Sequence, residues 1–551
     1  MSPILAALLC FCLYLIGYRF YGKYLGRRIF RLDPNATTPA HELKDGVDYV
    51  PANRWVLFGH HYASIAGLSP MLGPAIAVIW GWVPAMLWVV LGTLFIGAVH
   101  DFSALVISMR AKGMSVGKVA EDIVGPRAKS LFHIIIFFLI GLAMGVFVHV
   151  SATLLTTQYN PQAVYPSGTL MVVALVVGWL VYKRNASIKK ATAVAFAVTL
   201  LSVWMGVQLP SPDLSLGQWS VILLVYSLAA SVLPVWSLLQ PRDYINSLLL
   251  YLGLILIYTG FFWLGPEFAA PAVQTHPPGA PPIFPFVFIV IACGAVSGFH
   301  GLVSSGTTAK QINRETDATF IGYGGMIGES LLGLVSVLAC TAGFLTRDLW
   351  MAHYQTWDTA LGLGPNMKAF IDGAGLFMSQ LGIPLELSKA FVALIAISFA
   401  LTTLDSATRL LRFNISEIGE TLGVGILSNR YVASLGAVAT IGFFAFYRVD
   451  GKAAGLALWQ LFGTTNQVLA GLTLLTVTLY LMHRRRPFWF TGVPMLFMLV
   501  TTLVAMSYKM ADFWNSGAHL LLAVGGIILA LSLWLGVEAA LRLRRGMGKP
   551  S

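Results

Sequence analysis

The chain has 551 residues, of which 57% are hydrophobic and 11% charged, with a mean hydropathy of +0.77. Soluble domains carry about 25% charged residues, so roughly half of a solvated surface is missing and a soluble globular fold is excluded. The formal net charge of +12 sits in short clusters between apolar runs, which argues for membrane topology and against nucleic acid as a partner.

Apolar runs near 20 residues, enough to cross about 30 Å of hydrocarbon, recur along the whole length. They predict an all-α polytopic membrane protein of about 15 helices: 3–22, 62–80, 82–109, 130–157, 168–183, 188–208, 218–239, 245–264, 283–305, 319–345, 384–411, 430–447, 456–482, 488–508 and 517–541. The first run, MSPILAALLC, has no basic residue ahead of it and reads as an uncleaved first helix. Alternate connections hold 28 basic residues against 6, which with Arg19 account for all 35. That asymmetry predicts an N-terminus outside and a C-terminus in the cytosol. Cys10, Cys12, Cys293 and Cys340 lie inside apolar runs without metal or redox spacing and read as small core residues.

FGHH precedes the second helix, placing His60 and His61 at its cytosolic mouth. Adjacent histidines point about 100° apart on a helix, so a shared metal would need unwound backbone; hydrogen bonding or gating is the default and no metal site is expected. The same helix then runs through AGLSPMLGP (Ala66–Pro74), whose glycines and prolines free main-chain groups that lipid cannot satisfy. Asp101, beside His100, sits within the third helix and is either a proton relay or a buried anchor. The seventh helix contains SLAASVLPVW (Ser227–Trp236), with Pro234 near its middle.

Pro266–Pro285 is too proline-broken to be helical and forms an outer loop. The ninth helix ends in SGFHGLVSSGTT, where Ser297, Gly301, Ser304 and Thr308 share one stripe flanked by His300 and Ser305. Such a stripe either lets helices approach closely or offers oxygens to a small cation. Glu329, in GYGGMIGES, has no basic residue within one turn and is a candidate protonatable group. Asn366–Leu381 has the apolar spacing of a short helix on the outer surface of the bundle. Asp405 has Arg409 at i+4 and Arg412 at i+7, the spacing of a structural ion pair.

The breaks at Ala66–Pro74 and Ser227–Trp236 lie in oppositely directed helices five spans apart, as an inverted repeat of five helices would give. Transporters of the LeuT type place substrate and ions at such paired breaks. The expected organisation is one integral membrane unit: residues 1–61 with the first helix and a cytosolic loop, a first five-helix repeat over 62–208, a second over 218–411, and additional helices over 430–551.

Seven stretches together resemble the carbon starvation protein A family: Leu43–Pro74, Gly97–Arg110, Ala230–Tyr244, Ala292–Ile312, Ile321–Ser330, Phe399–Leu410 and Leu458–Gly471. The resemblance implies a bacterial inner-membrane transporter of the amino acid–polyamine–cation superfamily with a LeuT-like core. It implies uptake of peptides in carbon limitation or of pyruvate with protons, and a chain shorter than the longest members. The matching motifs point to Gly67–Pro74, Ser231–Trp236 and Ser304–Thr308 as the site region.

The expected function is therefore secondary active import of peptides or a small carboxylate such as pyruvate. A proton or sodium gradient would drive it, with no other cofactor and no enzymatic activity. Substrate would be held by Gly67, Ser69, Pro70, Gly73, Ser231, Pro234, Trp236 and His300, and coupling by Ser304, Ser305, Thr308, Asp101 and Glu329. A nutrient sensor without transport, or a metal-dependent membrane enzyme using His60 and His61, are the alternatives. The bilayer is the one partner implied, and oligomeric state is left open.

Overall fold

The computed structural model describes residues 1–544 other than 47, 361, 450, 451 and 454. Arg545 and Lys549 of the basic C-terminal tail lie outside the described residues. In chain order the principal helices are α1 (Pro3–Ile29), α2 (Arg54–Ile65), α3 (Ser69–Trp80), α4 (Trp82–Arg110), α5 (Val116–Ile123), α6 (Pro126–Leu154) and α7 (Pro161–Arg184). They continue with α8 (Ile188–Gln208), α9 (Leu216–Val232), α10 (Leu239–Leu264), α11 (Ile283–Val290), α12 (Gly298–Gly306) and α13 (Glu315–Ala342). The last are α14 (Leu363–Ser379), α15 (Leu385–Leu422), α16 (Arg430–Phe446), α17 (Gly455–His483), α18 (Trp489–Asn515) and α19 (His519–Arg544).

Among the described residues 11 helices are long and apolar enough to cross a membrane, or 12 if α2 and α3, bent by 46°, count as one span. A two-residue pairing of Arg448–Val449 with Lys452–Ala453 is the sole sheet among them. The chain is a polytopic membrane protein. Its outer faces agree with that: Leu5, Leu15, Phe20, Trp179, Trp204 and Cys12 point away from the bundle, as hydrocarbon requires.

The interruptions follow from local chemistry. Asn53 caps α2, its side-chain oxygen accepting from the Trp55 N–H at 3.0 Å. Helix α2 stops at Ile65 and α3 restarts with Pro70 in its first turn, where a missing N–H costs nothing. Pro234 behaves differently from the expectation of a helix over 218–239. Leu233 before it is extended, with ψ 148°, so α9 ends at Val232 and a turn leads to α10. The proline thus terminates a helix rather than kinking one.

The expected continuous helix over 283–305 is also divided. Between α11 and α12 the chain unwinds, with Gly294 at φ +87°, a conformation that favours glycine. Ser297 is extended and Thr308 sits in a separate turn, so the hydroxyl stripe does not run along one helix.

Helix α6 forms the centre of the bundle, packed by α15, α16 and α17. Helix α14 buries Met367, Phe370, Ile371, Ala374, Phe377 and Met378. It packs against α10, α13 and α15 instead of lying on the outer surface.

The two interrupted pairs touch. A Cβ at Gly73 would lie 2.6 Å from the Val290 carbonyl oxygen and 3.2 Å from Ile291 Cα, and one at Gly294 would lie 3.3 Å from Pro70 Cα. Gly73→Ala is therefore expected to destabilise the protein by about 1–3 kcal/mol, because backbone cannot step aside. Gly168→Ala, which meets nothing within 4 Å, is expected to leave the thermal midpoint of the solubilised protein unchanged.

Candidate functional site

Unwinding the chain over 291–297 leaves carbonyls without helical partners, and neighbours supply them. The Gln467 amide donates to the Phe288 oxygen at 2.9 Å and to the Val296 oxygen at 3.2 Å. Trp88 Nε1 donates to the Ile291 oxygen at 3.2 Å, and Thr93 Oγ1 to the Gly294 oxygen at 3.2 Å. Asn466 Oδ1 accepts from the Phe299 N–H at 2.9 Å and so caps α12. On the other strand of the contact, Ser336 Oγ donates to the Met71 oxygen and Tyr354 to the Ala75 oxygen at 2.7 Å. Ser69, at the start of α3, is buried with its hydroxyl unpartnered.

One turn beyond this contact lies a fully buried chain of titratable groups from α4, α12 and α13. Asp101 receives His100 Nδ1 at 2.8 Å on one oxygen and His300 Nδ1 at 2.9 Å on the other. His300 Nε2 faces Glu329 Oε2 at 3.3 Å. If the Asp101 carboxylate takes an N–H from each ring, the His300–Glu329 contact needs one further proton. Either Nε2 or the carboxyl can carry that proton with the same net charge; at 3.3 Å the two groups approach each other without forming a hydrogen bond. Its removal would leave two buried carboxylates facing one neutral ring, a costly state. The arrangement can therefore hold a buried proton.

His61 stands beside this chain, its Nδ1 2.8 Å from Thr308 Oγ1 and its ring against Gly325. Asp101, His300 and Glu329, singled out separately in the sequence, are thus brought together. The hydroxyls of α12 are not. Ser305 Oγ accepts from the Val116 N–H at 3.2 Å, Thr308 holds His61, and Ser304 Oγ is buried without a partner. They do not converge on one point. Gly67 instead faces Phe147 of α6 and Thr403 of α15.

Ser231, Pro234 and Trp236 bond or stack elsewhere. The Ser231 hydroxyl donates to the Leu228 oxygen at 2.9 Å and Ser237 to the Pro234 oxygen at 2.7 Å. Trp236 packs on Tyr182, with the Lys183 ammonium 5.2 Å from its ring centre. The segment facing Pro70 and Gly73 is 290–294.

A second buried cluster surrounds Arg242, which falls in the connection expected between the helices 218–239 and 245–264. Its guanidinium donates to Asp243 at 3.0 and 2.6 Å, to the Tyr226 oxygen at 2.6 Å, and to Asp405. His60 Nδ1 lies 2.6 Å from the other Asp243 oxygen. Arg409, the expected partner of Asp405, donates instead to the carbonyls of Ala230 and Leu233 at the end of α9. Its other nitrogen reaches Asp48 at 3.6 Å. An i+4 spacing brings two residues to one face but cannot exclude a partner 163 positions away. The signal available was adjacent Arg242 and Asp243 within an apolar run. His60 and His61 thus serve different clusters, and no group of three or more metal-ligating side chains is found among the described residues.

Comparison with known proteins bears on these features. A family model described as Carbon starvation protein CstA matches residues 2–357 and 356–505. A peptide transporter CstA of Campylobacter jejuni is 32% identical over 93% of this chain and 81% of its own length. The peptide transporter CstA of Escherichia coli is 32% identical over 90% and 79%. A pyruvate/proton symporter, BtsT, of Escherichia coli is 31% identical over 90% and 80%. Among solved structures, a point mutant of a manganese transporter from Eremococcus coleocola overlays with a TM-score of 0.48 at 11% identity, covering 91% of this chain and 99% of that one. That likeness is too slight to identify a fold.

The Arg242 cluster sets a stability expectation. Arg242→Met leaves Asp243 and Asp405 buried without their shared cation, a loss of about 3–5 kcal/mol. It should appear as a lowered thermal midpoint and reduced yield of folded protein, partly restored by adding Asp405→Asn.

Proposed function

The chain belongs to the carbon starvation protein CstA family, and from that membership we propose that it is a secondary active transporter importing short peptides or a small carboxylate such as pyruvate. It works in a bacterial inner membrane, with the N-terminus periplasmic and the C-terminus cytosolic. It is a transporter and not an enzyme. A proton drives it, and the observation that supports this most is the buried chain His100–Asp101–His300–Glu329 with its one movable proton. The scattered hydroxyls of Ser304, Ser305 and Thr308 favour the proton over sodium.

The architecture is read as two inverted repeats of five spans with interrupted first members, in about 15 spans overall. The repeats are drawn differently from 62–208 and 218–411. The first comprises α2–α3, α4, α5–α6, α9 and α10, with the hairpin α7–α8 inserted; the second comprises α11–α12, α13, α14–α15, α16 and α17. Several parallels support this division. Each half opens with a broken pair, and the next helix carries π-helical turns, at Trp88–Gly97 and Thr319–Tyr323. A shorter helix precedes the long third member in each, and α9 and α16 are both 17 residues.

Substrate binds where the breaks meet, with Gly67, Ser69, Pro70 and Gly73 on one side and the 291–300 segment on the other. The unpartnered Ser69 hydroxyl and the N-terminal amides of α3 suit a carboxylate. Because His300 follows directly on the second break, adding or removing the proton acts on the segment that contacts substrate.

The test is uptake into proteoliposomes under imposed gradients. An acid-outside gradient should drive accumulation of trialanine or pyruvate and a sodium gradient should not. Glu329→Gln and His300→Gln should each cut proton-driven accumulation at least tenfold while substrate exchange at equal pH persists. Accumulation that follows sodium, or is unchanged in both variants, would refute proton coupling through this chain.

A further inference from the structure

Away from the breaks, a cavity of about 350 Å³ lies between α5, α6, the end of α12 and the last turns of α15. Ligand pockets run roughly 300–1,000 Å³, so it has the size for a small solute. Ser305 and Gly306 of α12 line it, and two residues beyond Gly306 is Thr308, which holds His61.

The cavity carries charge of both signs in an unusual state. The Lys310 ammonium lies 4.6 Å from the ring centre of Phe413 and 5.4 Å from that of Tyr49. Among the described residues no carboxylate stands within ion-pair distance of it. Glu417, from α15, lines the same cavity; it accepts the Ser115 hydroxyl at 3.2 Å and lies 3.4 Å from His133 Nε2. Asn414 beside it is 4% exposed, with its side-chain oxygen unpartnered. The other lysines are engaged, Lys118 and Lys129 sharing Glu121 at 3.1 and 3.7 Å.

A cation and an anion thus share one cavity without closing on each other, and a buried acceptor next to the anion is left over. A monocarboxylate would satisfy only the cation. A zwitterion with its charges separated satisfies all three groups. We propose that this chamber binds the charged ends of a short peptide, the carboxylate on Lys310 and the amino group on Glu417 and the Asn414 oxygen. The proposal rests on the transporter reading and goes beyond it: the chamber is a second peptide site, apart from the one placed where the breaks meet.

The experiment is calorimetric titration of the purified full-length protein with trialanine, trialanine amide, N-acetyl-trialanine and pyruvate. Trialanine should bind, and each end-blocked form and pyruvate should bind at least tenfold more weakly. Lys310→Gln should abolish discrimination against the amide, Lys310→Arg should keep it, and Glu417→Gln should abolish discrimination against the acetylated form. Blocked peptides or pyruvate binding as tightly as trialanine, no binding of trialanine, or full selectivity in both neutral variants would overturn the assignment. Should Lys310→Gln not fold, Glu417→Gln and the blocked peptides decide it. Binding without uptake would sink the transporter reading and leave the chamber; uptake with selectivity unchanged in both variants would sink the chamber alone.

Discussion

Hydrocarbon offers no water to an unpaired amide or carbonyl, so a membrane helix that unwinds must find side chains to do what water does elsewhere. Here that duty falls on α17. Gln467 and Asn466 serve both edges of the 291–297 break, while Trp88 and Thr93 of α4 serve its middle. The contact between the two interrupted pairs exists because these donors hold one of them open. Gly73 and Gly294 then allow main chain to approach main chain, which no side chain would tolerate.

The two buried charge clusters differ in what can move. A guanidinium keeps its protons, so the Arg242 cluster has one fixed cation between Asp243 and Asp405 and acts as a clamp on α9, α10 and α15. The Asp101 cluster contains only imidazoles and carboxyls, groups that exist with or without a proton. Similar burial and similar short contacts therefore give one joint with a fixed cation and one whose protons can be rearranged.

Much of this was legible from residues alone. Hydropathy marked the chain as polytopic because lipid leaves no other solution, and Gly67–Pro74 announced its break through two prolines and two glycines. Asp101, His300 and Glu329 each stood out as polar groups in apolar runs. Their meeting was hidden, since it joins helices some 200 positions apart. Pro234 misled: a proline marks a missing N–H, yet here it ends a helix. The segment that does meet Pro70, CGAVSG, unwinds without any proline, on glycine and on support from a distant helix. Arg242 was lost among basic residues that flank spans, because charge counting cannot tell a loop arginine from one that is clamped inside.

Adjacent histidines on a single turn finish at different clusters, His60 on Asp243 and His61 on Thr308 beside His300. Helix α2 is consequently a spindle with two cranks. A rotation of that one turn would therefore act on both clusters at once.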